Sequence, residues 1–154
     1  MTVVVEVEIE DEAWSRDVAD VEDRVSRAVI AALGDRTGSV VVLLTDDATV
    51  RDLNARFRDK DAPTNVLSFP AAPMDLPGQA TPLGDLVLAH GVCAREARDQ
   101  SKALADHLTH LVVHGTLHLL GHDHVDDAEA EAMEAHEVTI LAALGVADPY
   151  RTTP

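Results

Sequence analysis

The chain has 154 residues, of which 46% are hydrophobic, and 12 basic against 28 acidic residues give a formal net charge of −16. This length suits one domain with a buried core, and the apolar fraction is too high for a disordered acidic tail. No run approaches the roughly 20 apolar residues of a membrane-spanning helix, and the acidic N-terminus is unlike a signal peptide. The single cysteine, Cys93, excludes an internal disulfide. We therefore expect a cytoplasmic protein with no membrane partner, and the charge argues against bulk coating of nucleic acid.

The first ninety residues have a hydrophobic pattern that alternates between strands and helices. Period-two alternation and short β-branched runs predict strands, helical spacing predicts helices, and a proline-rich stretch at 70–83 predicts a surface loop. The predicted strands are 3–9, 39–45, 65–70 and 83–89, and the predicted helices are 16–33, ending at Gly34, and about 46–57.

The remainder of the chain is predicted to be helical, with segments near 91–100, 102–120 and 126–144. No internal repeat or linker divides the sequence. We therefore predict one α+β domain over residues 1–154, with a mixed four-stranded sheet, about five helices and a metal site on a buried helix.

Five of the eight histidines lie within residues 110–124. His114 and His118 are four residues apart, so a helix places both imidazoles on one face. Gly121 can end that helix sharply, which lets the chain fold back and offer His124 to the same point. Three nitrogen ligands leave one position of a tetrahedral zinc ion open, as in a catalytic site.

The alternative is that these are core or surface histidines with ordinary hydrogen bonds. The helix is apolar on nearly every side, however, and buried imidazoles need partners, so we favour the metal site. His107 and His110 continue the same helical stripe and are expected to line the cleft or contact the ligands. His122 faces either solvent or the cleft.

The same spacing with a glutamate after the first histidine is the zinc signature of metzincin proteases, in which the glutamate is the general base. Here that position is Gly115, which has no side chain. Peptide hydrolysis is therefore the second choice.

The segments HGTLHLLGHDH, LNARFRDKDAPTNVLSFP (53–70) and LGDLVLA (83–89) closely resemble the YbeY family of bacterial single-zinc endoribonucleases. The similarity runs from about residue 46 to the closing GVADPY at 150. One departure is His122, where the family usually has tyrosine.

The resemblance implies a single-strand-specific, zinc-dependent endoribonuclease that acts in ribosomal RNA maturation and ribosome quality control. It implies one Zn²⁺ per chain held by His114, His118 and His124, with His114 and Arg58 as catalytic residues. Ribosomal RNA is the expected partner, with ribosomal proteins or a ribosome-associated GTPase as further candidates. The chemistry agrees, because phosphodiester cleavage needs a cation near the negatively charged phosphorane.

Several roles stay open at the level of sequence. Arg56 and Lys60 are candidate phosphate contacts or a solvated helix face, and Asn65 and Ser68 either bind substrate or order a strand and turn. The general base is His110, a nearby carboxylate or a zinc-bound hydroxide. The alternatives to an endoribonuclease are a metzincin-like zinc metallopeptidase and a non-catalytic ribosome assembly factor with a structural zinc.

Most of the negative charge lies in two segments, residues 1–24 and 123–137, each with a net charge of −7. Residues 51–60 instead carry a net charge of +2. We interpret the acidic last helix, which includes Glu137, as solvated surface. The overall charge therefore argues against tight non-specific RNA binding, and leaves room for an enzyme that binds RNA weakly.

Overall fold

The computed structural model describes residues 2–72, 77–78, 80–121 and 126–150, and these contain four strands and six helices. The strands are β1 (Val3–Ile9), β2 (Gly38–Thr45), β3 (Val66–Pro70) and β4 (Pro82–Ala89). The helices are α1 (Ala13–Asp17), α2 (Val21–Leu33), α3 (Asp47–Arg58), α4 (His90–Asp99), α5 (Leu104–Leu119) and α6 (Asp127–Ala143).

The strands form one sheet in the order β1-β2-β4-β3. β1 and β4 both run parallel to β2, whereas β3 pairs antiparallel with β4 and forms one edge. This confirms the predicted mixed four-stranded sheet.

Alternate residues of the central strands pack on opposite faces of the sheet, as the pleat requires. On one face, Val42 and Leu86 join the main core with α2, α5 and α6, whereas their neighbours Leu43 and Val87 contact a smaller cluster under α3. Both faces of the sheet are therefore covered by helices.

The predicted helix over 16–33 is wrong at its start, because the chain forms two helices separated at residues 18–20. Val18 is extended and buried, and Asp20 has a left-handed backbone with a φ of 52°. The break allows Trp14 of α1 to enter the core, where its indole N–H donates to the Thr45 carbonyl oxygen over 3.1 Å. This extra short helix raises the count from the predicted five to six in the described part of the chain.

The histidine-bearing helix α5 lies at the centre of the fold, as predicted. It packs against α2, α4, α6 and the strands β3 and β4. The helix ends at Leu119, and Gly121 follows with a φ of 91°, a conformation that glycine adopts without strain. None of the helices in the described ranges is long and apolar enough to span a lipid bilayer.

Candidate metal centre and cleft

A cleft of about 800 Å³ opens between the end of α3, the edge strand β3 and the histidine face of α5. Its lining residues include Arg58, Lys60, Asn65, Ser68, His110, His114, His118 and Tyr150. The structure therefore brings together most of the predicted site residues, although they come from three separate elements.

His114 and His118 point their Nε2 atoms at the same place, and these two atoms are 2.9 Å apart. Two nitrogens that each lie 2.0–2.1 Å from a tetrahedral zinc ion are about 3.3 Å apart, so the observed pair is about 0.4 Å closer than that spacing but converges on one point that a metal ion could share. His124, the predicted third ligand, and His122 lie outside the described residues.

The other nitrogen of His114 is held by a carboxylate. His114 Nδ1 donates a hydrogen bond to Oε1 of Glu137 on α6, and the Glu137 side chain is fully buried. A donating Nδ1–H places the lone pair of the neutral ring on Nε2, the atom that faces His118. This carboxylate–histidine arrangement is the one that commonly orients a metal ligand in proteins.

Three side chains surround the Glu137 carboxylate. The Tyr150 hydroxyl donates to Oε2, and Nε2 of His110 lies 3.3 Å from the same oxygen. Burial acts to raise the pKa of Glu137, but the hydrogen bonds from His110, His114 and Tyr150 outweigh it and lower the pKa to about 2. The carboxylate therefore stays ionised and hydrogen-bonded, which makes it a weak proton acceptor.

His110, His114 and Glu137 also form a cluster that could itself hold a metal ion. One ligand atom from each lies within 4.8 Å of the others. This arrangement and the His114–His118 pair share His114, so a single ion fits the site in either case. Imidazole and carboxylate donors suit zinc and several other divalent transition metals.

Arg58 ends α3 and reaches across to β3. Its Nη2 donates to the Ser68 carbonyl oxygen over 2.5 Å, and its guanidinium carbon lies 5.6 Å from the centre of the Phe69 ring. Neither Arg58 nor Lys60 forms an ion pair with a carboxylate of the described residues, although Arg51 pairs with Asp61. The cleft mouth therefore carries two cations whose charge is available to an anionic ligand.

Of the other predicted substrate contacts, two line the cleft and one does not. Asn65 and Ser68 line the cleft, but the Asn65 amide already donates to Glu96 over 3.0 Å and accepts from the Val66 N–H. Arg56 is exposed, forms an ion pair with Asp52 at 3.2 Å, and is not among the described residues of the cleft lining.

His107 is buried and is not among the described residues that line the cleft. Its Nε2 lies 2.9 Å from Oε1 of Glu96 on α4. Seven residues, close to two full turns, separate His107 from His114, so both lie near one helix face, and the ring centres of His107 and His110 are 6.3 Å apart. Burial lowers the pKa of His107, with the Glu96 hydrogen bond acting in the opposite direction.

Sequence reasoning missed Glu137 and Tyr150, and its interpretation of Glu137 as solvated surface is wrong. A signal was present, because Glu137 lies four residues after Met133 and four before Leu141, at the spacing of the buried face of α6. A lone acid on an apolar helix face needs a buried partner, and His114 is that partner.

Gly115 is a packing residue. A Cβ atom there would lie 2.8 Å from Cδ2 of Leu86 and 3.3 Å from Oγ of Ser68. The position where a metzincin carries its general base therefore faces the sheet, which removes the support for the peptidase alternative.

The fold and site together define a small α+β domain with a histidine cluster that could hold a metal ion in a basic-rimmed cleft. The model of the family described as "Endoribonuclease YbeY" matches residues 5–145, so the chain belongs to the YbeY family.

Curated relatives agree with this assignment, and a solved structure shares the fold. The protein named Endoribonuclease YbeY from Paramagnetospirillum magneticum is 52% identical, over 97% of this chain and 98% of the relative. The one from Azorhizobium caulinodans is 50% identical, over 95% of each chain. The solution structure of TM1509 from Thermotoga maritima matches the fold with a TM-score of 0.56 at 22% identity and covers 98% of both chains.

Proposed function

We propose that this protein is a zinc-dependent endoribonuclease that cleaves RNA in the cleft between α3, β3 and α5. The observation that carries the proposal is the placement of Arg58 and the paired imidazoles of His114 and His118 in one cleft. The names of the relatives support the same reaction, since both are called endoribonucleases.

We assign one zinc ion per chain to His114, His118 and His124. The 2.9 Å separation of the two Nε2 atoms and the hydrogen bond from Nδ1 of His114 to Glu137 support this assignment. When bound, zinc supplies Lewis acidity at the scissile phosphate. Glu137 acts as a positioning residue, because it fixes the ring orientation and tautomer of His114.

Arg58 is the residue that binds the reacting phosphate. It uses one N–H for the Ser68 carbonyl oxygen, and the guanidinium has five such donors, so others remain for phosphate oxygens. Its positive charge stabilises the extra negative charge of the phosphorane. The contact to Ser68 holds the guanidinium at the cleft mouth before substrate arrives, which limits the entropy lost on binding.

Lys60, Arg56, Asn65 and Ser68 contact the substrate on either side of this phosphate. Lys60 carries an available charge at the cleft mouth. Arg56 is held only by an exposed ion pair, and such pairs contribute about 0–1 kcal/mol, so a phosphate can replace Asp52 at small cost. Asn65 and Ser68 form the cleft wall on β3 and the residue before it.

Single-stranded ribosomal RNA is the substrate we propose, in the maturation and quality control of ribosomes in the cytoplasm. A cleft with few unpaired cations supports weak RNA binding, which suits an enzyme that a partner brings to its substrate. Ribosomal proteins or a ribosome-associated GTPase are the proposed partners.

A cleavage assay on ribosomal RNA fragments and on an unrelated peptide substrate tests the function. The zinc-loaded protein is expected to cut the RNA and leave the peptide intact, and His114→Ala is expected to lose cleavage. RNA cleavage that persists unchanged in His114→Ala, with the variant purified in the same way, would show that the activity belongs to a contaminant.

A further inference from the structure

We propose that the exposed ring of Phe57 is a stacking site for an unpaired nucleobase of RNA, next to the phosphate held by Arg58. This inference rests on the proposed endoribonuclease function and adds a binding site outside the cleft. Phe57 is 67% exposed, the highest value among the exposed large hydrophobic residues in the described ranges. Exposure of a single apolar ring is ordinary on a protein surface, so its neighbours decide what it can bind.

The ring is held in a fixed orientation. Phe57 packs against Phe69 of the edge strand in an edge-to-face arrangement, with ring centres 5.7 Å apart and an interplanar angle of 71°. The Arg58 guanidinium also lies over Phe69, so the partly buried Phe69 ring contacts the exposed side chains of both Phe57 and Arg58. A preorganised aromatic surface loses little conformational entropy when a base stacks on it.

Phe57 lies immediately next to the cleft along the chain. Arg58 lines the cleft and binds the Ser68 carbonyl oxygen, whereas Phe57 lies outside the cleft lining and contacts Phe69, the ring over which the Arg58 guanidinium lies. The chain turns at once after Arg58, because Asp59 has a left-handed backbone. A nucleic acid strand that places one phosphate at Arg58 therefore has an aromatic surface available for a neighbouring base.

The surroundings of Phe57 fit a nucleotide better than an apolar protein surface. The flanking residues in sequence are Arg56 and Arg58, and residues 51–60 carry a net charge of +2 within a chain of net charge −16. An aromatic ring between two arginines can contact a base while the arginines contact the neighbouring phosphates, because bases and phosphates alternate along RNA. Stacking of a base on an aromatic side chain contributes about 1–3 kcal/mol, which corresponds to roughly 5- to 150-fold in affinity.

Steady-state cleavage of a short unstructured RNA by the zinc-loaded protein separates binding from chemistry. Phe57→Ala is expected to raise KM by roughly 5- to 150-fold with little change in kcat, whereas Phe57→Trp keeps KM near that of wild type. The matched control is Ile30→Ala, which removes a 51% exposed apolar side chain from α2 and is expected to leave both constants unchanged. A wild-type KM in Phe57→Ala overturns the proposal, while absence of RNA cleavage by the wild type counts against the proposed function instead.

An RNA of the same length with an abasic nucleotide next to the scissile phosphate isolates the base contact. Wild type is expected to bind it as weakly as Phe57→Ala binds the complete RNA, and Phe57→Ala is expected not to distinguish the two. In Phe57→Trp, a base that stacks on the new exposed tryptophan is expected to quench its fluorescence. The fluorescence of the native Trp14 is a constant background, because Trp14 is fully buried. Equal binding of the two RNAs by wild type, or binding without quenching in Phe57→Trp, overturns the proposal.

Discussion

Glu137 on α6 accepts a hydrogen bond from Nδ1 of His114 on α5, and this contact joins the acidic helix to the candidate metal centre. The two residues are 23 positions apart in the chain. The contact gives a buried carboxylate a partner and leaves Nε2 of His114 as the atom for metal binding. We therefore expect the metal affinity of the site to depend on a residue from the most acidic part of the chain.

Glu137→Gln is expected to lower zinc affinity by roughly 10- to 100-fold, as loss of an orienting partner commonly does. The amide keeps the shape of the side chain and loses the charge that fixes the His114 tautomer. Competition with a chromogenic zinc chelator measures the effect without any RNA. Glu131→Gln on the exposed face of α6 is the matched control and should leave the affinity unchanged; equal affinities in all three proteins would contradict the assigned role.

Two single variants distinguish the alternative ligand sets. If His118 is a ligand, His118→Ala reduces bound zinc to well below one ion per chain after dialysis, whereas His110→Ala retains it. If the ion is instead held by His110, His114 and Glu137, His110→Ala reduces the bound zinc and His118→Ala retains it. Metal content by mass spectrometry decides between them, with the thermal midpoint of each variant as the check on folding.

Arg58→Ala is expected to reduce RNA cleavage by roughly 100- to 1000-fold, the usual cost of losing one contact to transition-state charge. The free energy of unfolding should change by no more than about 1.5 kcal/mol, because the exposed side chain loses little besides its hydrogen bond to the Ser68 carbonyl oxygen. Arg51→Ala, which removes an exposed arginine that is paired with Asp61, is the charge-matched control. Parallel losses of activity and stability in Arg58→Ala would argue against a role in phosphate binding.

Gly115→Ala is expected to destabilise the fold by up to about 2 kcal/mol in urea unfolding. The new methyl group would lie 2.8 Å from Cδ2 of Leu86, and overpacking costs about 1–3 kcal/mol, less about 1 kcal/mol gained from helix propensity. Leu86→Val makes room, so the double variant should lose less stability than the sum of the two single variants. If the two stability losses simply add, the new methyl group does not clash with Leu86.

Stability should fall in acid because of His107. Burial lowers its pKa in the folded protein, so below the ordinary histidine pKa of about 6.5 the unfolded chain binds a proton that the folded chain does not. The free energy of unfolding therefore decreases as the pH falls through that value towards the folded-state pKa. His107→Gln keeps a donor for Glu96 and should lessen this decrease, measured by urea unfolding at neutral pH and about one unit below 6.5; an unchanged pH dependence would refute the assignment.

The histidine pair was predictable because it depends only on local geometry. Residues four apart on any helix share a face, so the spacing of His114 and His118 determines their proximity before the tertiary fold is known. The strand pattern is local in the same sense, since the alternation at Val3–Ile9 reflects one buried and one exposed face.

The missed features depend on tertiary contacts. The burial of Glu137 follows from the face of α6 that meets α5, and acidic neighbours such as Glu131 conceal that face in the sequence. The break before α2 was missed because Val18 and Val21 keep helical spacing across it, although Val18 is extended. The exposure of Phe57 likewise follows from the way α3 ends at the sheet edge.

Tyr150 completes the hydrogen bonds to Glu137, and it is synthesised after every other described residue of the metal centre. At about 5–20 residues per second, a few seconds separate the synthesis of His114 from that of Tyr150. Until the ribosome has added Tyr150, the nascent protein therefore lacks one of the hydrogen-bond donors to Glu137. The order of synthesis delays the completed set of contacts around this carboxylate to that point.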